Sequence, residues 1–306
     1  MQTSADDSLE REHAPPGSAL YYAIVFSSRE PFAHPLWRGA SIALHALRER
    51  WLDIVAGAGE PHIKEHRINW WSDEIMEARD GRPRHPVSIA LSRYGGKDIW
   101  RKPEVVEMLR AAGNAVADGL CRMQAREDFC RDFGGACLSL EDALIHALPS
   151  TDEASIPLES GAENEDRIQT LRVCGRALEC ATLANPPPGL WAGLRSRSDT
   201  HPAQDKPRKE ATSQPEGEDA KTLHRQELRW ADNALGDAIA LITPADDPLS
   251  LETETLLRIR KAEIRCASKP DTPRPTSITP LRKLYIAWRC ARKAGAHKKH
   301  RSLNAT

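Results

Sequence analysis

Apolar residues recur along this chain at steps of three and four, and no segment shows sustained alternation. Ala40, Leu44, Leu47, Trp51 and Ile54 make the clearest stripe, one face of an amphipathic helix. Further helices are expected over Ile68–Ala78, Val105–Leu120, Phe129–Leu148, Arg167–Leu183, Leu223–Leu241, Leu249–Cys266 and Leu281–Lys293. Asp80-Gly81-Arg82-Pro83 closes the first of these, and Pro186-Pro187-Pro188-Gly189 stops the helix that ends near Leu183. With no strand signal to place, the expected fold is all-α, one helical domain.

The chain is 306 residues long, yet hydrophobic residues make up 40% and aromatic ones 5%, so not every segment can belong to a packed core. Residues 1–17 are polar, end in Pro15-Pro16-Gly17, and read as a disordered tail. Residues 149–165 read as a linker. In 198–222 the apolar members are Ala203, Ala211 and Ala220, a composition that cannot offset its own ordering entropy, so a disordered insertion is expected. The folded domain is then 18–293, followed by a basic tail over 294–306. The apolar run Ala19 to Phe26 falls short of the ~20 residues that span a bilayer. The acidic first dozen residues resemble neither a secretory signal nor a basic transit peptide, so a cytoplasmic location is expected, with peripheral contact on the inner face of the membrane. Seven cysteines without a CxxC pair read as reduced thiols, most of them buried.

Three short motifs carry chemistry on paper. His62-Ile63-Lys64-Glu65-His66 spells HxxEH, which on a helix places two imidazoles one turn apart beside a carboxylate, as zinc hydrolysis requires. The flanking Glu60, Pro61, Arg67 and Asn69 describe a solvated helix start instead, so His62 and His66 are weak metal candidates. Asp128 and Asp132 share a helical face, as magnesium ligands would, but Arg126 and Arg131 stand among them and favour surface ion pairing. Glu49 with Asp53, and Asp73 with Glu77, repeat that spacing. No GxGxxG, GxxxxGK[ST] or GxSxG occurs, which removes Rossmann, P-loop and hydrolase-elbow chemistry from consideration.

The formal charge of −1 conceals a strong asymmetry. Residues 256–306 hold 14 basic and 2 acidic side chains, and the remaining 29 basic and 42 acidic ones lie before them. Near the C-terminus Leu281, Leu284, Tyr285 and Trp288 share one helical face, surrounded by Arg282, Lys283, Arg289, Arg292 and Lys293. One reading is a final core helix with a basic solvent face. The other is contact with an anionic membrane surface or an acidic protein partner. Nucleic acid is not an expected partner, because the stretch lacks interleaved stacking aromatics.

Several segments together resemble the squalene/phytoene synthase family. Ser18-Ala19-Leu20-Tyr21-Tyr22-Ala23 is similar to its opening Ser-Phe-Tyr-Tyr-Ala. Ile68-Asn69-Trp70-Trp71-Ser72-Asp73-Glu74-Ile75, with Gly81-Arg82-Pro83-Arg84-His85-Pro86-Val87, resembles its LAWWRxEI…GxPxHPV stretch. Phe129-Cys130 with Gly134-Gly135 echoes its Tyr-Cys…Ala-Gly helix. Pro280-Leu281-Arg282-Lys283-Leu284-Tyr285-Ile286-Ala287-Trp288-Arg289 matches an ending common in its bacterial members. These matches run in family order from about residue 18 to 292.

The resemblance implies an isoprenoid-synthase-like bundle around a deep central cavity, with Ser18, Tyr21 and Tyr22 near the substrate. Active members join two prenyl diphosphates head to head, using magnesium held by two aspartate-rich motifs to stabilise the leaving pyrophosphate. Both motifs are degraded here. Aligning the first on Ile54-Val55 leaves Asp53 as its one aspartate, with Leu52 and Ala56 at the metal positions and Glu49 where arginine is expected. The second should follow Gly175-Arg176-Ala177-Leu178, and the chain reads Glu179-Cys180-Ala181-Thr182-Leu183-Ala184-Asn185-Pro186 instead. Losing both removes most leaving-group stabilisation. The expectation is therefore a catalytically degenerate member, similar to the complex I assembly factor branch, that needs no cofactor and binds a prenyl chain or other apolar ligand, a lipid or a protein partner. The alternative is an active head-to-head prenyltransferase, with Mg2+ held by Glu49, Asp53 and Asp73.

Overall fold

The computed structural model describes residues 3–28, 36–57, 59–148, 161–185, 216–242, 248–269 and 277–304. All regular structure among them is helical. In chain order the helices are α1 (Thr3–His13), α2 (Ala19–Ser27), α3 (Trp37–Ala56), α4 (Pro61–Arg79) and α5 (Pro86–Gly95). A 3-10 turn (Lys97–Arg101) leads to α6 (Pro103–Asp118) and α7 (Met123–Phe129). A π turn (Cys130–Gly134) then runs directly into α8 (Gly135–Ala147). The last four are α9 (Gly161–Ala184), α10 (Glu216–Leu241), α11 (Pro248–Ala267) and α12 (Pro280–Asn304).

Local chemistry sets most boundaries. Ser18 caps α2 by accepting the Tyr21 N–H at 3.0 Å. Proline stands at the first position of α4, α5 and α6, where its missing N–H costs nothing. The α4–α5 turn is pinned from beneath by Glu74, a fully buried carboxylate that accepts the backbone N–H groups of Arg84 and His85, each at 2.8 Å. Although burial disfavours its charge, these donors hold the Glu74 pKa below the ordinary carboxylate value. Trp71 and His85 pack 4.8 Å apart above it, and Trp71 meets Trp51 edge-on at 5.8 Å. The Trp-Trp…His-Pro-Val segments are thus a structural corner.

The stripe on α3 faces inward as its spacing predicts: Ala40, Leu44, Leu47, Trp51 and Ile54 are all buried. Around α3 pack α1, α4, α5, α6 and α8, while α9 packs on α8, the π turn, α10 and α11. α11 lies among α2, α8, α9, α10 and α12. At the crossing of the π turn with α9, Gly134 and Gly175 meet backbone to backbone. A Cβ on Gly175 would stand 1.9 Å from the Gly134 carbonyl oxygen, so neither position admits a side chain.

Several expectations about order need correcting. Residues 3–13 form a helix, and Leu9, His13 and Ala14 are buried against the bundle, with His13 Nδ1 2.6 Å from Glu49 on α3. The tail reading failed because a few apolar contacts and the pairing of Glu10, Glu12 and His13 with Arg38, Arg50 and Glu49 of α3 anchor an otherwise polar helix. Of the linker at 149–165, residues 161–165 belong to α9, and of the insertion at 198–222, residues 216–222 begin α10. The rest of both lies outside the described residues. In 294–306, α12 continues to Asn304 and Ala294 is buried, so its first turns are part of the fold. The seven cysteines are unpaired and five of them are buried. Among the described residues, no helix is long and apolar enough to cross a membrane.

Candidate functional site

The helical period brings His45 and Arg48 to the same inward side of α3, one turn apart. Each meets carboxylates from other helices. Arg48 is paired through Nε with Glu179 of α9 and donates from Nη2 to Thr182 Oγ1 at 3.1 Å. Glu179 and Thr182 are buried, and Arg48 is nearly so. Burial would lower the Arg48 pKa, but Glu179 outweighs it and the net shift is upward. The pair is one cation against one anion, closed across two helices.

His45 meets two anions. Its Nε2 lies 3.7 Å from Glu141 Oε1 on α8 and 3.5 Å from Glu252 Oε1 on α11. Both distances exceed a hydrogen bond, so this buried nitrogen has no hydrogen-bond partner. Ser41, one turn before His45, places its hydroxyl between the carboxylates, 2.7 Å from Glu252 Oε1 and 3.2 Å from Glu141 Oε1. The other oxygen of Glu252, Oε2, accepts Trp37 Nε1–H at 3.0 Å and lies 3.3 Å from Ser27 Oγ. Glu141 and Glu252 are each 1% exposed and His45 8%. Burial, with Glu252 beside it, pushes the Glu141 pKa up to about 8 against the pull of His45. Burial acts to lower the His45 pKa, but Glu141 and Glu252 win and raise it.

Between α2, α3, α8, α9 and α11 lies a cavity of about 60 Å3, bordered by His45, Arg48, Glu49, Cys137, Glu179 and Arg260. It has room for a few water molecules and is well below the roughly 300–1,000 Å3 of a pocket that encloses a drug-sized ligand. Burial in this wall pushes the Cys137 thiol well above its usual range, although Arg48 opposes it. Cys137 is thus an unreactive neutral thiol.

The residues singled out from sequence are scattered. Glu49 is half-exposed and anchors α1 through His13. Asp53 is exposed and pairs with Arg67 at 3.1 Å, while Asp73 is exposed on α4. Glu49, Asp53 and Asp73 do not form a ligand cluster, and the described residues hold one such group, His45 with Glu141 and Glu252. Leu52 and Ala56, compared with the magnesium ligands of the first motif, are buried and carry no carboxylate, and Pro186, compared with the first aspartate of the second, is a proline outside the described residues, so the residues present do not fit a two-magnesium clamp. His62 and His66 are exposed on the first turns of α4. Asp128 and Asp132 pair with Arg131 at 2.8 and 2.9 Å, as their flanking arginines implied. Ser18 serves as the α2 cap, and the half-buried Tyr21 and Tyr22 pack edge-on against each other at 5.4 Å.

At the C-terminus, α12 turns the expected arrangement around. Its inward face is Lys283, Ala287, Cys290 and Ala294, packed toward α2 and α11. Lys283 is 7% exposed and its Nζ lies 3.2 Å from Glu263 of α11, so it is not a surface-contact residue. The apolar face points out, with Leu281 78%, Leu284 39%, Tyr285 55% and Trp288 43% exposed. Tyr285 and Trp288 stack at 6.1 Å, with Arg289 over the first ring and Arg292 over the second. Arg282 and Lys293 are also exposed.

Sequence reasoning passed over His45, Glu141 and Glu252, which stand on helices far apart in the chain and belong to no local motif. One signal was present: each is an ionisable residue on the apolar side of its helix. No family model matches the chain, and comparison with curated proteins finds no match.

Proposed function

We propose that this chain is a non-catalytic binding protein that docks on anionic membrane surfaces through the outer face of α12. The observation that carries this reading is the row Leu281, Leu284, Tyr285 and Trp288, exposed together and framed by Arg282, Arg289, Arg292 and Lys293. Exposing four large apolar side chains on one stripe is unfavourable in water, and aromatic rings with adjoining arginines suit the boundary between lipid headgroups and acyl chains. An acidic protein surface would match the cations but leave the projecting Leu281 and Trp288 without an apolar host.

The non-catalytic part rests on the absence of carboxylates at Leu52, Ala56 and Pro186, and on the Arg48–Glu179 pair that joins α3 to α9. A prenyl chain in the interior would need several times the volume of the present cavity. Within this reading, the likeness to squalene/phytoene synthases reflects a retained helical scaffold.

Vesicle flotation tests the docking. The protein should float with phosphatidylglycerol-containing vesicles, stay down with pure phosphatidylcholine, and release as salt rises. Each basic side chain near such a surface contributes about 1 kcal/mol, so Arg289→Gln with Arg292→Gln should weaken binding roughly 30-fold. Trp288→Ser should weaken it at every salt concentration. Flotation indifferent to both lipid charge and these substitutions would reject the docking. Incubation with farnesyl diphosphate and magnesium should release no pyrophosphate above a boiled control, and sustained release would restore the active-synthase alternative.

A further inference from the structure

The interior of the bundle carries a feature unrelated to the surface of α12. We propose that His45, Glu141 and Glu252 form a buried binding site for one first-row divalent cation, of the zinc or manganese type. Nε2 of His45 and one oxygen of each carboxylate lie within 4.8 Å of one another, close enough to converge on a common ion by small side-chain movements. Those three atoms come from α3, α8 and α11, so the ion would fasten three helices that are otherwise joined here by packing and by hydrogen bonds from Ser41 and Trp37.

Three observations point to a ligand rather than to a closed salt bridge. The first is the unpartnered nitrogen: Nε2 is buried, turned toward both carboxylates, and too far from either to be hydrogen-bonded. A buried polar atom without a partner is costly, and a coordinate bond would satisfy it. The second is charge. A neutral imidazole with two carboxylates sums to −2, matching a divalent cation. The third is the outer support of Glu252, whose Oε2 is held by Trp37 Nε1 and Ser27 while Oε1, which also accepts from Ser41, faces His45. Hydrogen bonds to the remote oxygen are how ligating carboxylates are commonly oriented. One imidazole and two carboxylate oxygens suit zinc, manganese or ferrous iron better than a thiol-seeking metal.

The surroundings also define a route and a proton balance. His45 borders the small cavity, whose wall includes the half-exposed Glu49. The charged and titratable groups facing Glu141 are His45 and Arg48 from α3 and Glu252 from α11, with the Ser41 hydroxyl between. Binding M2+ displaces any proton held by His45 or Glu141, so affinity should rise with pH.

The test uses the full chain, freed of metal by chelator and without vesicles, so its result is independent of membrane docking. Titration with Zn2+ and, separately, Mn2+ should reveal one site per chain, with a rise in Tm on binding. Glu252→Gln and His45→Gln should each weaken binding at least 100-fold. The paired surface substitution His62→Ala with His66→Ala should leave it unchanged. Circular dichroism of the metal-free variants checks that they fold, and Glu141→Gln, which keeps the shape of the protonated side chain, provides a second ligand variant expected to weaken binding. Absence of a stoichiometric site for either metal would overturn the proposal. So would binding that survives Glu252→Gln and disappears with the surface histidines.

Discussion

His45 and Arg48 occupy one face of one helix, one turn apart, and reach opposite electrostatic ends. Arg48 meets a single carboxylate and a hydroxyl, and the charges cancel within the contact. His45 meets two carboxylates, leaves Nε2 unpartnered, and depends on a proton to lower the negative charge around it. The lesson is that burial alone does not mark a functional group. What separates the two is whether the buried charges balance. Arg48–Glu179 balances, although Glu179 Oε2 makes no hydrogen bond, and reads as a structural tie. The His45 cluster sets two carboxylates against one imidazole whose Nε2 makes no hydrogen bond, which is the signature of a site that something else completes.

The comparison can be broken at its stronger member first. Arg48→Ala strands the buried Glu179 carboxylate and should cost about 3–5 kcal/mol in chemical denaturation. Replacing both partners, Arg48→Met with Glu179→Leu, should recover most of that loss. If Arg48→Ala costs no more than an exposed ion pair, the tie is not closed and the contrast with His45 disappears.

A smaller effect sharpens the other member. In chelator, Glu141 and His45 hold their protons more tightly in the folded chain than in the unfolded one. The folded state therefore binds more protons, and the stability linked to Glu141 is fully present below its unfolded pKa and lost as pH rises toward about 8. The His45 contribution has the same sign, with its loss continuing above its ordinary value. Denaturation midpoints should fall from pH 5 to pH 8 by an amount on the order of 1–3 kcal/mol, and Glu141→Gln should flatten most of that slope. A flat wild-type profile would show that the carboxylates are satisfied some other way.

Much of the fold was legible because helix formation is written locally. The α3 stripe, Pro61, Pro86 and Pro103 at helix starts, and the all-α class depend on residues within a turn or two of one another. The N-terminal helix was not legible: its anchorage is Leu9 and Ala14 against the bundle and His13 against Glu49, contacts that composition does not report. Lys283 failed for a similar reason. A lysine in a basic helix reads as solvent-facing, but Glu263, buried on α11 and also accepting from Ser277 at 2.7 Å, provides the partner that lets it turn inward. The aromatic stripe beside it reads as core and points outward, since periodicity identifies a face without saying what covers it.

By itself, the sequence determined an all-helical chain and a basic C-terminal end. Those are properties of residue identity and of spacing along one helix. Only the tertiary structure decided that residues 45, 141 and 252, separated by about 100 positions at each step, converge on one buried point, and that the apolar side of α12 faces water. Convergence and coverage arise from packing between distant helices, where a side chain's chemistry is set by neighbours that its own segment does not encode.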